Sequence, residues 1–463
     1  MSLLPGLAIN KKLGVFSISS VGTAILVSML SAASPMFGLA LLVAVIGLAF
    51  VVLLFKKPQL GLLILVAVSP LDQLQRIPGL SFLNVAKIVG ALLILSWALY
   101  ILVFRKGRYR FVWTGLEIPL ALFLLVLLLR LPPAIDFVGA ITTFASLASY
   151  AMLYVVIVNL LRDMRLVNKL IRVLIFVSVL VSLLAVAQFV TKSTIFPWAL
   201  GNTLHRGGAS IPRAVGAARN PNIGAFLPVL VFPLSATAYI SGKGKIRRLL
   251  FAISSGCILA GAVVMMSRSA YVAIALEVVI LTLLLQRSLS QFQCILLVLI
   301  LVLIFVGVVG FFTPIQVILG ERIQSMLDLE VGERFLIYES FGEMLADYPV
   351  LGVGLGNFRY YMSRYGGISI SAHSNIILVA GEMGLLGLLS FGLLSLMPIW
   401  ILSRTLRTNT HGRNRVILAG FVASVVGYQI NGLFHVNFVW NLYWIVLALA
   451  MATVSVLRTA SAA

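Results

Sequence analysis

The chain has 463 residues, 61% hydrophobic and 10% charged, with 34 Lys and Arg against 13 Asp and Glu, for a formal net charge of +21. A soluble domain of this length could not hide that much apolar surface, so the composition excludes a soluble globular protein and selects a membrane one. Cys257 and Cys294 both fall inside apolar runs and read as thiols, neither a disulfide nor a metal site.

A helix that crosses a bilayer needs roughly 20 apolar residues. Window hydropathy places fourteen spans, at about 16–33, 36–55, 58–70, 83–104, 114–131, 138–161, 170–190, 221–240, 249–266, 269–286, 291–312, 374–402, 415–433 and 436–456. The span at 58–70 is short and bracketed by Pro58 and Pro70, so the expected count is 12–14. Lys11 and Lys12 precede the first apolar run and a second span follows at once, the pattern of an anchor rather than a cleaved leader. The fold expected is an all-α polytopic membrane protein with an extracytoplasmic helical cap. It divides into helices and loops over 1–312, the cap over 313–373 and closing helices over 374–463.

The charges alternate between loops. One set holds Lys11 and Lys12, Lys56 and Lys57, Arg105 to Arg110, Arg162 to Arg172, Lys243 to Arg248, Arg287, Arg404 to Arg415, and Arg458, together 22 of the 34 basic residues. The positive-inside rule makes these loops, and both termini, cytoplasmic. The basic excess is then mostly a topology signal with affinity for anionic headgroups, and no nucleic-acid partner is expected.

The opposite face has two long loops, 191–220 and 313–373. The second carries seven of the thirteen acidic residues, and its stretch Glu333–Asp347 has helical spacing with Phe335, Ile337, Phe341 and Leu345 on or beside one face. A turn-rich run, YPVLGVGLGNF, follows. Loops this long in compact proteins are usually functional.

That face also collects arginine. Loop 191–220 brings His205, Arg206, Arg213 and Arg219; the turn SRSA brings Arg268; the large loop brings Arg322, Arg334, Arg359 and Arg364 and ends at His373. A planar guanidinium holds phosphate oxygens through paired hydrogen bonds and stays charged. Arg268 stands in a three-residue polar turn within a long apolar stretch, where a charge is a functional candidate by default; a snorkelling helix-end arginine is the plain alternative. Arg213 and Arg219 could equally be solvated, and Arg334 could pair with Glu330 or Glu333. His373 sits where the cap meets a span, placed for general-base chemistry or for a satisfied interfacial contact. Glu382 is nine residues on, about 13 Å along a helix, and no ligand spacing to His373 exists. With Gly381, Gly384 and Gly387 it reads as a tightly packed helix contact holding a buried acid.

These residues carry a resemblance. HSNIILVAGEMGLLGLLSFG resembles the signature of the O-antigen ligase and polymerase superfamily, a histidine followed by a helix with a glutamate and spaced glycines. YPVLGVGLGNFRYY is similar to that family's proline- and glycine-rich cap segment, with Arg334 at the place of its preceding arginine. PRAVGAARNPNIGAFL, with Arg213 and Asn222, and MSRSAYVA, with Arg268, are similar to two further elements, so the resemblance runs over roughly residues 200–402.

The resemblance implies an integral membrane glycosyltransferase of GT-C type in a bacterial inner membrane. It would move a glycan from undecaprenyl diphosphate to an acceptor hydroxyl on the outer side, with inversion and with neither metal nor cofactor. His373 would be the base, and Arg213 and Arg268, supported by Arg334, would hold the diphosphate, with Arg206 and Arg219 as helpers. The acceptor could be a glycolipid, another lipid-linked glycan as in a polymerase, or a protein. A transporter or flippase is the reading from another class, but transporters place their sites near the midplane, whereas these charges gather on one face. A non-catalytic envelope scaffold is a third.

Overall fold

The computed structural model of the chain describes residues 54, 57–71, 76–77, 80–102, 109–192, 203–206, 209–286, 331–366, 371–408 and 412–462. The spans expected at 16–33, 36–55 and 291–312 lie outside these residues, Leu54 apart, as do Arg322, Cys294 and the first part of the cap.

The described helices are α1 (Pro58–Val68), α2 (Val85–Tyr100), α3 (Glu117–Leu129), α4 (Phe137–Leu160), α5 (Met164–Thr191), α6 (Phe226–Ile240, after a helical turn at Pro221–Gly224) and α7 (Lys245–Met265). There follow α8 (Arg268–Leu285), α9 (Val331–Asp347), α10 (Phe358–Gly366), α11 (Asn375–Thr408), α12 (Gly412–Gly432) and α13 (Asn441–Ala462). Among the described residues, seven helices are long and apolar enough to cross a bilayer: α4, α5, α6 with its leading turn, α7, α8, α11 and α13. The protein is therefore an all-α polytopic membrane protein. Two short antiparallel hairpins interrupt it: β1 (Arg76–Ile77) with β2 (Leu80–Asn84), and β3 (Thr203–Arg206) with β4 (Ala209–Pro212). The sequence links them through Pro78-Gly79 and Gly207-Gly208, two-residue turn signals that a hydropathy window does not register.

Local signals set several helix starts. Asp136 caps α4 by accepting from Gly139 N at 2.9 Å, and Asp163 caps α5 by accepting from Arg165 N at 2.9 Å. Glu117 folds back on its own helix start, accepting from Thr114 N and Gly115 N at 3.0 and 2.9 Å. This accounts for one of the few acids in an apolar segment.

The centre of the bundle is α12, which packs on α6, α8 and α11. It is more polar than the seven long apolar helices, and it can be, because neighbouring helices rather than lipid surround it. Around it, α5, α6 and α7 pack together, and α13 packs on α4 and α11. The cap has its own small core, formed by Ile337, Met344, Val353, Phe358, Met362 and Ala372. The inward stripe of α9 thus runs through Ile337, Phe341 and Met344, with Leu345 only half-buried beside it.

The cap docks onto α11 through backbone. At Gly384 the helix departs from helical geometry, with φ 62° and ψ −153°. Its freed carbonyls accept from the glycine run, Val353 N to Gly381 O at 2.8 Å and Gly354 N to Glu382 O at 2.9 Å. In return Leu385 N and Leu386 N donate to Pro349 O and Val350 O at 2.9 and 3.3 Å. Arg130, at the end of α3, closes the other side by donating Nη2 to Gly352 O at 2.9 Å and accepting from Leu355 N at 2.9 Å. Asn357 ties the run to the start of α4, donating to Pro133 O and accepting from Ile135 N, both at 2.8 Å.

Candidate functional site

The site is built at the end of the bundle where α5, α7 and α12 finish and α8 and α11 begin. The loop after β4 is fixed first. Gln188, near the end of α5, accepts from Val215 N and Gly216 N at 3.1 and 2.9 Å and donates to Gly216 O at 3.0 Å. Gly216 needs its missing Cβ, since its φ is 59°. Held there, Arg213 reaches the end of α7. Its Nη2 donates to Met265 O, Met266 O and Asn222 Oδ1 at 3.1, 2.9 and 3.0 Å, and Nε lies 3.3 Å from Met265 O. A cation on the terminal carbonyls of a helix complements its dipole. Met266 then turns into the left-handed region, φ 52°, and α8 starts at Arg268, whose side chain is exposed.

The second half of the site is the start of α11. His373 is exposed and also left-handed, φ 47°, a conformation in which histidine is enriched among non-glycine residues. Two residues on, Asn375 is buried and enters a polar chain across the bundle. Asn375 Nδ2 donates to Asn437 Oδ1 at 2.7 Å, and Asn437 N donates back to Asn375 Oδ1 at 2.9 Å. Asn437 Nδ2 donates to Tyr428 O at 2.9 Å and lies 3.4 Å from Asn431 Oδ1. Asn431 Nδ2 donates to Ser269 Oγ at 3.1 Å, and Ser269 lies beside Arg268. A buried, hydrogen-bonded path thus joins the Arg268 turn to the His373 turn, and amides satisfied on both sides fix one relative placement.

Each expected site residue has a place in this frame. Arg213, Arg268 and His373 belong to the two halves just described. Arg219 is exposed in the loop before Asn220, whose side chain caps the turn at Pro221–Gly224. Arg206 lies in β3 and Arg334 in α9. Arg213 departs from the sequence expectation in one respect: much of its guanidinium is turned onto main-chain carbonyls, so it braces the arginine turn. Sequence reasoning missed Gln188, Ser269, Asn375, Asn431 and Asn437. The signal was four amides and a serine next to glycines and span ends, where an apolar bundle has little reason to keep them. His435, half-buried with its ring 6.0 Å from Phe226, sits in the same loop as Asn437.

Glu382 has a structural account. Its carboxylate lies 3.4 Å from Phe358 N, at the start of α10, so the buried acid caps the cap's second helix. Outside the membrane, Tyr365 donates to the Asp347 carboxylate, and that bond holds its phenol up to about 12. Beside the arginine loop an open, mainly apolar cleft of about 450 Å³ runs between Ala217, Ile223, Phe226, Leu230 and Trp440. Among the described residues no three His, Cys, Asp or Glu side chains cluster together.

The fold and this rim define a multi-pass helical membrane protein whose arginine turn and histidine turn are locked together at one end. Residues 249–392 match the family model described as O-antigen ligase, so this part of the chain is similar to that family. The match runs from α7 into α11, so it takes in Arg268, the glycine run and His373, while the Arg213 loop precedes it. The family implies glycosyltransferase activity of the ligase or polymerase type, with a lipid-linked glycan donor and a glycan acceptor. No curated protein gives a match to the chain.

Proposed function

We propose that the chain is an inverting, metal-independent glycosyltransferase of the ligase type. It transfers a glycan from undecaprenyl diphosphate to an acceptor hydroxyl on the outer side of a bacterial inner membrane, with both termini cytoplasmic. His373 takes the proton from the acceptor hydroxyl. That oxygen attacks the anomeric carbon as the bond from carbon to the phosphate oxygen breaks, and the electron pair leaves with the diphosphate. Arg268, with Arg219, Arg206 and Arg334, stabilises the charge that develops there, and Arg213 both contributes cationic field and holds the turn. The cleft beside Ala217 and Phe226 offers the polyprenyl chain an apolar wall. The working division of the chain is 1–312, 313–373 and 374–463, with the cap over the acceptor side.

One observation carries this reading: the Ser269–Asn431–Asn437–Asn375 path, which gives a cationic turn and an imidazole from distant segments a fixed relation. A polymerase uses the same chemistry on a second lipid-linked glycan, and the acceptor alone separates the two. The test is glycan transfer in proteoliposomes with purified lipid-linked donor and acceptor. Transfer continues in EDTA, falls by about 10²–10⁴ in His373→Ala, and persists in His435→Ala. Full activity of His373→Ala removes the base assignment. Loss on chelation with rescue by a divalent ion removes the metal-free mechanism. Donor crossing the bilayer without transfer points to the transporter reading.

A further inference from the structure

At the opposite end of the bundle the structure holds a second cationic site, independent of the reading above. Arg247 lies in the first turn of α7 and Met265 in its last, so about 27 Å of helix separates this place from the Arg213 brace. Here an open cleft of about 410 Å³ is bounded by the starts of α5, α7 and α12 and the end of α6, and Arg172, Arg247 and Arg413 all line it. Arg413 Nη2 donates to Asn168 Oδ1 at 3.0 Å, and Arg172 Nε donates to Asn168 O at 3.1 Å. Arg247 rests on the Phe251 ring, 5.8 Å from its centroid. The three share one asparagine and one aromatic ring, and none forms an ion pair with a carboxylate among the described residues. Partial burial, then the neighbouring Arg247 and Arg172, push the Arg413 guanidinium below its ordinary range.

Arg172 and Arg413 are exposed and Arg247 is half-buried. Like charges gathered in a cleft without an acid repel, and an anion that joins them offsets that repulsion more fully than water does. Three guanidinium forks match phosphate oxygens, and two helix N-termini, those of α7 and α12, add positive dipole ends. The inner wall is apolar, with Ile171, Leu234 and Ile417 continuing from the arginines toward the bilayer interior. A free phosphate has no use for that wall, whereas a phospholipid places its glycerol and first acyl carbons against it. We infer that Arg172, Arg247, Arg413 and Asn168 form a specific binding site for the phosphate headgroup of an anionic glycerophospholipid. Basic pockets between helices at a membrane edge are a known form of such recognition.

The test uses the whole purified chain in detergent with phosphatidylglycerol, phosphatidylcholine of the same acyl chains, or inorganic phosphate, read by native mass spectrometry. The expected result is a retained phosphatidylglycerol at least about tenfold preferred over phosphatidylcholine, a 1.4 kcal/mol difference. The preference is lost in Arg247→Gln/Arg413→Gln and kept in Arg404→Gln/Arg407→Gln, which removes equal charge nearby. Arg247→Gln alone, which breaks no hydrogen bond of the fold, should lose at least half of the bound lipid, so a misfolded double variant does not rescue the idea. Equal retention of the two lipids, equal loss in the two double variants, or full displacement by millimolar inorganic phosphate overturns the proposal.

Discussion

Asn437 is where single-residue physics bears most directly on the site. It is 1% exposed, and its side chain pairs with Asn375 while also donating toward Tyr428 and Asn431. Removing one partner from a buried polar pair leaves the other with its desolvation cost, about 1–3 kcal/mol for each stranded group. Asn437→Ala is therefore expected to lower the thermal midpoint of the purified protein and to reduce transfer, since the His373 turn loses its tether. An unchanged midpoint would mean that water replaces the amide and that the path does not hold the two turns. Arg213→Lys belongs at the same scale. Met265 O, Met266 O and Asn222 Oδ1 all accept from one nitrogen, Nη2, which lies one atom farther along the side chain than a lysine ammonium, and the Nε contact has no lysine counterpart. Arg213→Lys should therefore lower activity nearly as far as Arg213→Ala. A lysine variant with full activity would assign Arg213 the role of a point charge.

At the scale of elements, the break in α11 is the feature on which the cap depends. A Cβ on Gly384 would lie 2.5 Å from Val350 O and 2.6 Å from Gly352 N, and one on Gly352 would lie 2.5 Å from Met383 N. Both residues also hold positive φ, so alanine there meets backbone on one side and strain on the other. Gly384→Ala or Gly352→Ala should release the cap, and trypsin should then cut at Arg359 and Arg364, both exposed on α10, at sites the wild-type chain protects. Alanine at Gly392, which meets nothing within 4 Å, is the control and should leave the digest unchanged. These elements also mark what the amino-acid order makes legible. Hydropathy places α4 to α8 and α11 to α13, because a helix that crosses the hydrocarbon has to be apolar along most of its length, whether lipid or, as for α6 and α13, mostly other helices surround it. The glycines of 352–356 and 381–387 are visible as two clusters, but that one cluster threads into the break made by the other is a long-range backbone pairing with no local signature. Glu382 likewise reads correctly as a buried acid, yet its partner is the start of α10, 24 positions earlier in the chain. Asn375 and Asn437 could be listed as polar oddities, but not matched to each other.

At the scale of the whole molecule, the remaining claim is orientation. Helix α7 runs from Lys245 to Met265, 21 residues or about 30 Å, so its two ends lie at opposite edges of a bilayer. The end near Lys243, Lys245, Arg247 and Arg248 is one of the basic loops, and positive charge retains such loops on the cytoplasmic side. The other end leads into Arg268, and the cap, docked on α11, lies toward that same end. Single-cysteine chains decide the matter, with Cys257 and Cys294 first replaced by alanine. A membrane-impermeant maleimide added to intact spheroplasts should label Tyr360→Cys, exposed on α10, and should reach Lys243→Cys only after permeabilisation. The reverse order would place the arginine turn on the side where nucleotide sugars, not lipid-linked donors, are the available substrates. The charge alternation would then have to be explained without the positive-inside rule. Labelling of both from outside would break the crossing of α7 itself, since a helix that spans the bilayer cannot present both its ends to one face.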